Sequence, residues 1–250
     1  MSIDTHWYYL LVNVGTLVFP FALSFDQKVG FYKKWYAFWP ACLAVLAFFI
    51  VWDIAFTHHG VWGFNPVYLT GVDIINLPLE EWLFFITIPY ACIFSLETFR
   101  CYFPKKNLPE GLTKALSWGV LILCVLLVAF NHNHWYTAAT NIFLAMLVGW
   151  CIFRKKWRLL GFFLPVYLIL QIPFAIVNGI LTGLDFWKYP LFHSDPASVT
   201  DQIVWYDNNH NLGIRLFSIP VDDILYGALL ILINWLGYSY LLSRRASAKH

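Results

Sequence analysis

Two short stretches of this 250-residue chain place adjacent acids behind a proline: Pro78-Leu-Glu80-Glu81 and Pro220-Val-Asp222-Asp223. They belong to a longer self-match, 71–84 against 213–226, that runs without gaps. Proline in the first turn of a helix forfeits no hydrogen bond. Asn76 and Ser218, two residues ahead of each proline, are N-cap candidates. Each motif therefore predicts a helix that opens on two carboxylates. Such acids have a plain role, since they complement the macrodipole and the free N–H groups of a first turn. Adjacent helical residues point about 100° apart, so the two acids of a pair are expected to differ in what they do.

Carboxylates become reactive when they are denied water. At or near hydrocarbon depth a carboxylate is costly and marks a site. Two adjacent ones cannot easily both ionise there, and one is expected to keep its proton near neutral pH. A neutral acid beside a charged one is a proton donor with a base at hand. Glu80, Glu81, Asp222 and Asp223 are accordingly the catalytic candidates, joined by Asp53 at the end of an apolar run. Asp53-Ile-Ala-Phe-Thr57 matches Asn178-Gly-Ile-Leu-Thr182. The repeat partner of Asp53 is thus an amide, which hydrogen-bonds but donates no carboxylic proton. Asn178, Thr57, Thr182, Asn65, Phe84, Phe85 and Tyr226 are candidates for substrate contacts. Most aromatics, among them Trp62, Tyr90, Trp205 and Trp235, read as lipid belt and core, while a few suit the wall of a cation pocket. His58, His59, His132 and His134 sit in loops at spacings that make no metal set, so no metal is expected. The five cysteines, none in a CxxC, read as small core residues.

The elements that carry these residues follow from composition. The chain is 60% hydrophobic and 12% charged, about half the charge of a soluble domain. Lipid is the solvent this composition requires, and no basic cluster points to nucleic acid. A spanning helix needs roughly 17–25 mostly apolar residues. Seven such runs are read at 8–25, 35–56, 79–98, 115–130, 136–153, 159–181 and 219–242, none with the alternation of a barrel strand. The first lacks a basic leader and a cleavage site and is read as a retained helix. With the N-terminus outside, the inner loops and C-terminus hold Lys28, Lys33, Lys34, Arg100, Lys105, Lys106, Lys114, Arg154, Lys155, Lys156, Arg158, Arg244, Arg245 and Lys249. These are fourteen of the sixteen basic residues, with Lys188 and Arg215 alone outside. The positive-inside rule predicts such a bias. The expected architecture is therefore all-α: a polytopic protein of the cell membrane with seven transmembrane helices and a cytoplasmic C-terminus.

The repeat divides the chain. Helices one to three (1–105) and five to seven (135–250) form two related halves, with helix four (106–134) as connector. One connecting helix gives both halves the same direction, making them parallel repeats. The acids, Asp53, Asn178, Thr57 and Thr182 then fall at one outer level. The second copy has the longer outer loop, 183–217.

Leu77-Pro-Leu-Glu-Glu-Trp-Leu-Phe-Phe85 resembles the signature of the membrane-integral lycopene cyclases: the bacterial heterodimeric type and the cyclase domain of the fungal bifunctional enzymes. Asn65-Pro66 ahead of Gly71 and Ile219-Pro-Val-Asp-Asp-Ile-Leu-Tyr226 are similar to that family too, and the resemblance covers nearly the whole chain. It implies two small subunits fused into one polypeptide, so that no second cyclase subunit is needed. It also implies cyclisation of lycopene, a linear carotenoid, without net redox change. A terminal double bond is protonated, a neighbouring double bond closes a six-membered ring on the cation, and loss of a proton leaves a β- or ε-ring. The acids suit this chemistry, and a β-cyclase is the expected outcome. No Gly-x-Gly-x-x-Gly fingerprint follows a strand, so no flavin or other cofactor is expected. A proton or ion transporter would use similar acids and repeats, and a sister hydratase would quench the same cation with water. A retinal protein is disfavoured, because helix seven has no lysine for a Schiff base.

Overall fold

The computed structural model describes residues 4–194 and 198–247. Lys249, and three residues of the long 183–217 loop, lie outside that range. Among the described residues seven helices are long and apolar enough to cross a membrane: α1 (Tyr8–Leu23), α2 (Trp35–His58), α3 (Leu79–Tyr102), α4 (Glu110–Phe130), α5 (Trp135–Phe153), α6 (Trp157–Thr182) and α7 (Asp222–Ser247). The chain is a multi-pass membrane protein. Large apolar side chains such as Phe19, Val51, Phe130, Phe153 and Leu168 stand exposed along these helices, where water would make them costly and lipid does not.

Two helix starts differ from the sequence reading. α4 begins five residues early, at Glu110, because Pro109 opens it and Glu110 pairs with Lys114 one turn on, at 2.6 Å. α7 begins three residues late, at Asp222, because Ile219-Pro220 is used as a strand. Strands were not expected. Leu77-Pro78 (β3) pairs antiparallel with Asp73-Ile74 (β2), and Ile219-Pro220 (β7) pairs in the same register with Arg215-Leu216 (β6). The remaining short strands are β1 (Trp62–Phe64), β4 (Phe192–His193) and β5 (Val204–Tyr206).

The two hairpins agree in detail. Ile75 and Phe217 at their tips have φ of 64° and 55°, and Gly71 and Gly213 ahead of them have φ of 80° and 69°. The left-handed conformation is cheap for the glycines and costs a branched residue such as Ile75 about 1–2 kcal/mol. Asn76 and Ser218 do not cap the helices that follow. Asn76 donates to the Ile54 carbonyl at 2.9 Å and Ser218 to the Gly179 carbonyl at 3.2 Å. Ile54 and Gly179 are themselves repeat partners. The turn swings each side chain to a carbonyl near the C-terminal end of the preceding helix, and at Gly179 it joins the Gly183 N–H, which donates there at 2.9 Å.

The chain forms two compact units. The first comprises Met1–Pro104, Ile203–Trp205 and Leu230–His250. Within it α1 and α2 both pack on α3, and Asn13 of α1 donates to the Glu80 carbonyl at 3.0 Å while accepting from Thr87 at 2.6 Å. Gly63 is required where β1 meets β5, since a Cβ there would run into the Trp205 indole. The second unit comprises Lys105–Gln202 and Tyr206–Leu229, with α4 packed on α5 and α6.

Near the far end of α3 from its acids, Glu97 is 1% exposed and pairs with Lys34 and with Arg100, the latter at 2.6 Å. Glu97→Gln leaves those cations without their countercharge. Because Lys34 and Arg100 are themselves partly exposed, the expected loss is about 1–3 kcal/mol, read as a lowered thermal midpoint in detergent.

Candidate active site

In the first unit α2 brings Asp53 and Thr57, α3 brings Glu80 and Glu81, and α1 brings Tyr9, a residue the sequence reading missed. All three carboxyl side chains are buried. Glu81 accepts a hydrogen bond from the Tyr9 hydroxyl, and Asp53 Oδ1 accepts from the Trp62 indole N–H and, at 3.3 Å, from the Thr57 hydroxyl. The carboxyl groups of Asp53 and Glu81 stand within hydrogen-bonding range of each other. Two carboxyls can bond only through a proton that one of them carries. Asp53 Oδ2 accepts from no N–H or hydroxyl among the described residues.

Glu80 turns elsewhere. Its Oε1 accepts from the Thr70 backbone N–H at 2.7 Å, across the loop ahead of the hairpin, and its buried Oε2 has no partner among the described residues. The two acids of the pair thus differ in role, one closing the loop and the other facing Asp53.

The second unit places its acid pair in the same way but surrounds it with different donors. Asp222 accepts from the Leu212 backbone N–H at 3.1 Å and from Thr137 at 2.5 Å. Leu212 and Asp222 are the repeat partners of Thr70 and Glu80. Asp223 accepts from the hydroxyl of Tyr136 at 2.6 Å, from the Asn178 amide at 2.6 Å and from the Tyr206 hydroxyl at 3.2 Å. Where Glu81 meets a carboxyl, Asp223 meets an amide.

The other candidates divide. Tyr226 packs edge-on against Tyr136, ring centroids 5.7 Å apart. Phe85 lies against Phe49 at 5.8 Å, and half-buried Phe84 stands edge-on to Phe85 at 5.5 Å. Thr182 bonds Ser218 at 2.8 Å and so fastens the hairpin to α6 instead of meeting an acid. Asn65 accepts from the Val67 N–H and caps the short turn Pro66–Tyr68. Beside Asp53 the rings of Phe49, Trp52, Phe56 and Trp62 follow one another at 5.0–5.6 Å. Such a run of π-faces can steady a cation.

The missed donors Tyr9 and Tyr136 had a signal. His6-Trp7-Tyr8-Tyr9 at the start of α1 and His134-Trp135-Tyr136-Thr137 at the start of α5 are a third point of self-similarity, in which Tyr136 matches Tyr8 and Tyr9 matches Thr137, so it marks the segment and not the residue. Tyr206 lies in the loop with no equivalent in the first half and carried no such signal.

The lycopene cyclase family model matches residues 6–99 and 133–241. Comparison with curated proteins and with solved structures finds no match. The matched segments take in both acid pairs, Asp53, Asn178 and the two tyrosines, and pass over the whole of α4. A chain matched over four-fifths of its length, with buried acids repeated in both matched segments, belongs to the lycopene cyclase family.

Proposed function

We propose that this chain is a cofactor-independent lycopene β-cyclase, an isomerase with no net redox change, whose proton donor is the Asp53–Glu81 pair. Family membership supports carotenoid cyclisation in general, and the carboxyl-to-carboxyl contact carries the rest. Protonating an alkene requires an acid in a dry site, and releasing the product requires a base to receive a proton. One pair supplies both. Its shared proton passes to the terminal double bond of lycopene. The carboxylate left behind stabilises the cation while the neighbouring double bond closes the ring. The same carboxylate then takes the ring proton, so the pair is restored and nothing is consumed. The Phe49–Trp62 run of rings supports this reading, because it lies beside Asp53. Glu80 and Asp222 are positioning residues that hold the loops ahead of the two hairpins.

The wider reading follows from the repeat. The halves 1–105 and 135–250, joined by 106–134, replace two subunits, and no second cyclase chain is needed. Lysine and arginine distribution supports an outer N-terminus and a cytoplasmic C-terminus in the cell membrane. Lycopene, being apolar, reaches the site from the lipid. The test is the purified chain in liposomes given lycopene with neither flavin nor nicotinamide. The expected product has unchanged mass and one carbon–carbon double bond fewer for each ring closed. A product heavier by one water would make the chain a hydratase, and unreacted lycopene would contradict the proposal.

A further inference from the structure

Most of the outer loop 183–217 lies with the second half of the chain that carries it, but one stretch does not. Ile203–Trp205 belongs to the first compact unit, although the chain on either side belongs to the second. There β5 forms a two-stranded sheet with β1, and the Asn65 N–H, one residue past β1, donates to the Ile203 carbonyl at 2.9 Å. Ile203 and Val204 are buried and anchor the stretch. β1 is three residues long, and β5 is its only strand partner among the described residues. Isolated two-stranded ribbons are marginal in water, so β1 depends on what packs against it.

Successive side chains of a strand point to opposite faces. Trp62 is buried and gives its indole N–H to Asp53 Oδ1. Gly63 offers bare backbone on the other face, and the partly exposed Trp205 indole lies against it, its ring atoms where a Cβ would sit. The ring thus presses on the strand directly behind the residue that holds Asp53. Thr57 donates to the same Asp53 oxygen at 3.3 Å. The two donors together fix the carboxyl in the orientation in which it meets Glu81.

Resting on the reading above, we infer that the long outer loop of the second half is a working part of the first-repeat centre. Its segment 203–205 clamps β1, and Trp205 is a positioning residue that keeps the Trp62 indole on Asp53. It acts through Gly63 and Trp62. The site of one half is completed by the other half of the chain.

The full chain in liposomes with lycopene tests this, with the thermal midpoint read on the same preparation. Trp205→Ala should lower kcat about 10–10²-fold and leave KM near the wild-type value. Trp205→Phe, which keeps a flat ring over Gly63, should recover most of the rate. Trp62→Phe keeps its ring but lacks the N–H, and should lose at least as much as Trp205→Ala. Adding Trp205→Ala to Trp62→Phe should then cost little more, because the two changes break one chain of contacts. Losses that multiply in the double variant would overturn the inference. So would a wild-type rate in folded Trp205→Ala, or a raised KM with kcat intact, the mark of a direct substrate contact. Should Trp205→Ala fail to fold, Gly63→Ala decides, since it drives the ring off the strand without removing it: a tenfold or greater loss of kcat is expected, and a wild-type rate would overturn the inference. Each of these outcomes, seen beside an active wild type, leaves the proposed function standing. Wild-type protein that leaves lycopene untouched would overturn that function, and this inference with it.

Discussion

Glu81→Gln should lower the rate of ring formation by about 10²–10⁴, the span that a positioned general acid contributes. The glutamine side chain has the same shape. Its carbonyl can accept from Tyr9, and its amide can donate to Asp53, so the contacts that join α1, α2 and α3 at this point survive. What disappears is the transferable proton, because an amide N–H is no acid. The variant should therefore keep the thermal midpoint of the wild type in detergent while losing product, and substrate binding should change little. Loss of fold together with loss of rate would point instead to a structural role for the acid. The measurement is initial rate by chromatography of pigments, with the melt run on the same preparation.

Asp53→Asn should also cost about 10²–10³ in rate, for a different reason. It gives the first repeat the chemical content of the second, where Asn178 donates to Asp223 at 2.6 Å. The new amide would donate to Glu81 in the same way, and Glu81 would become an acceptor only. Trp62 and Thr57 would still find an oxygen at this position, so the loop stays in place. Were Glu81 merely a helix-start device and Asp53 a bystander, this change would alter stability at no cost in rate. The two outcomes separate in one experiment, rate and melt measured side by side.

Much of this arrangement is legible in the sequence because it rests on depth and periodicity. Seven apolar runs place seven helices, and the starts of α1, α2 and α3 fall where the runs begin. Asp53 and Glu81 can be picked out because an acid in an apolar run is expensive. The hairpins were hidden. A two-residue strand has no period to detect, and its turn uses Ile75 and Phe217 at positive φ, residues that give no turn signal. That geometry moves Asn76 and Ser218 from the caps to the preceding helices, which propensity alone misassigns. Facing was hidden as well. Adjacency says that Glu80 and Glu81 diverge, but only the fold says that Glu80 takes the Thr70 N–H and Glu81 meets Asp53. Tyr9 and Tyr136 lie far from the acids in sequence and reach them only through packing.

The central claim is that a carboxylic proton of the first repeat closes the ring. Carboxyl protons exchange with water between turnovers, so the decisive measurement is the cyclisation of lycopene by the wild-type chain in D2O, with mass spectrometry of the product. The account predicts deuterium in the product, up to one atom per ring closed, and none in residual lycopene. Cyclic product that carries no deuterium, after long pre-equilibration of the protein in D2O, would contradict it.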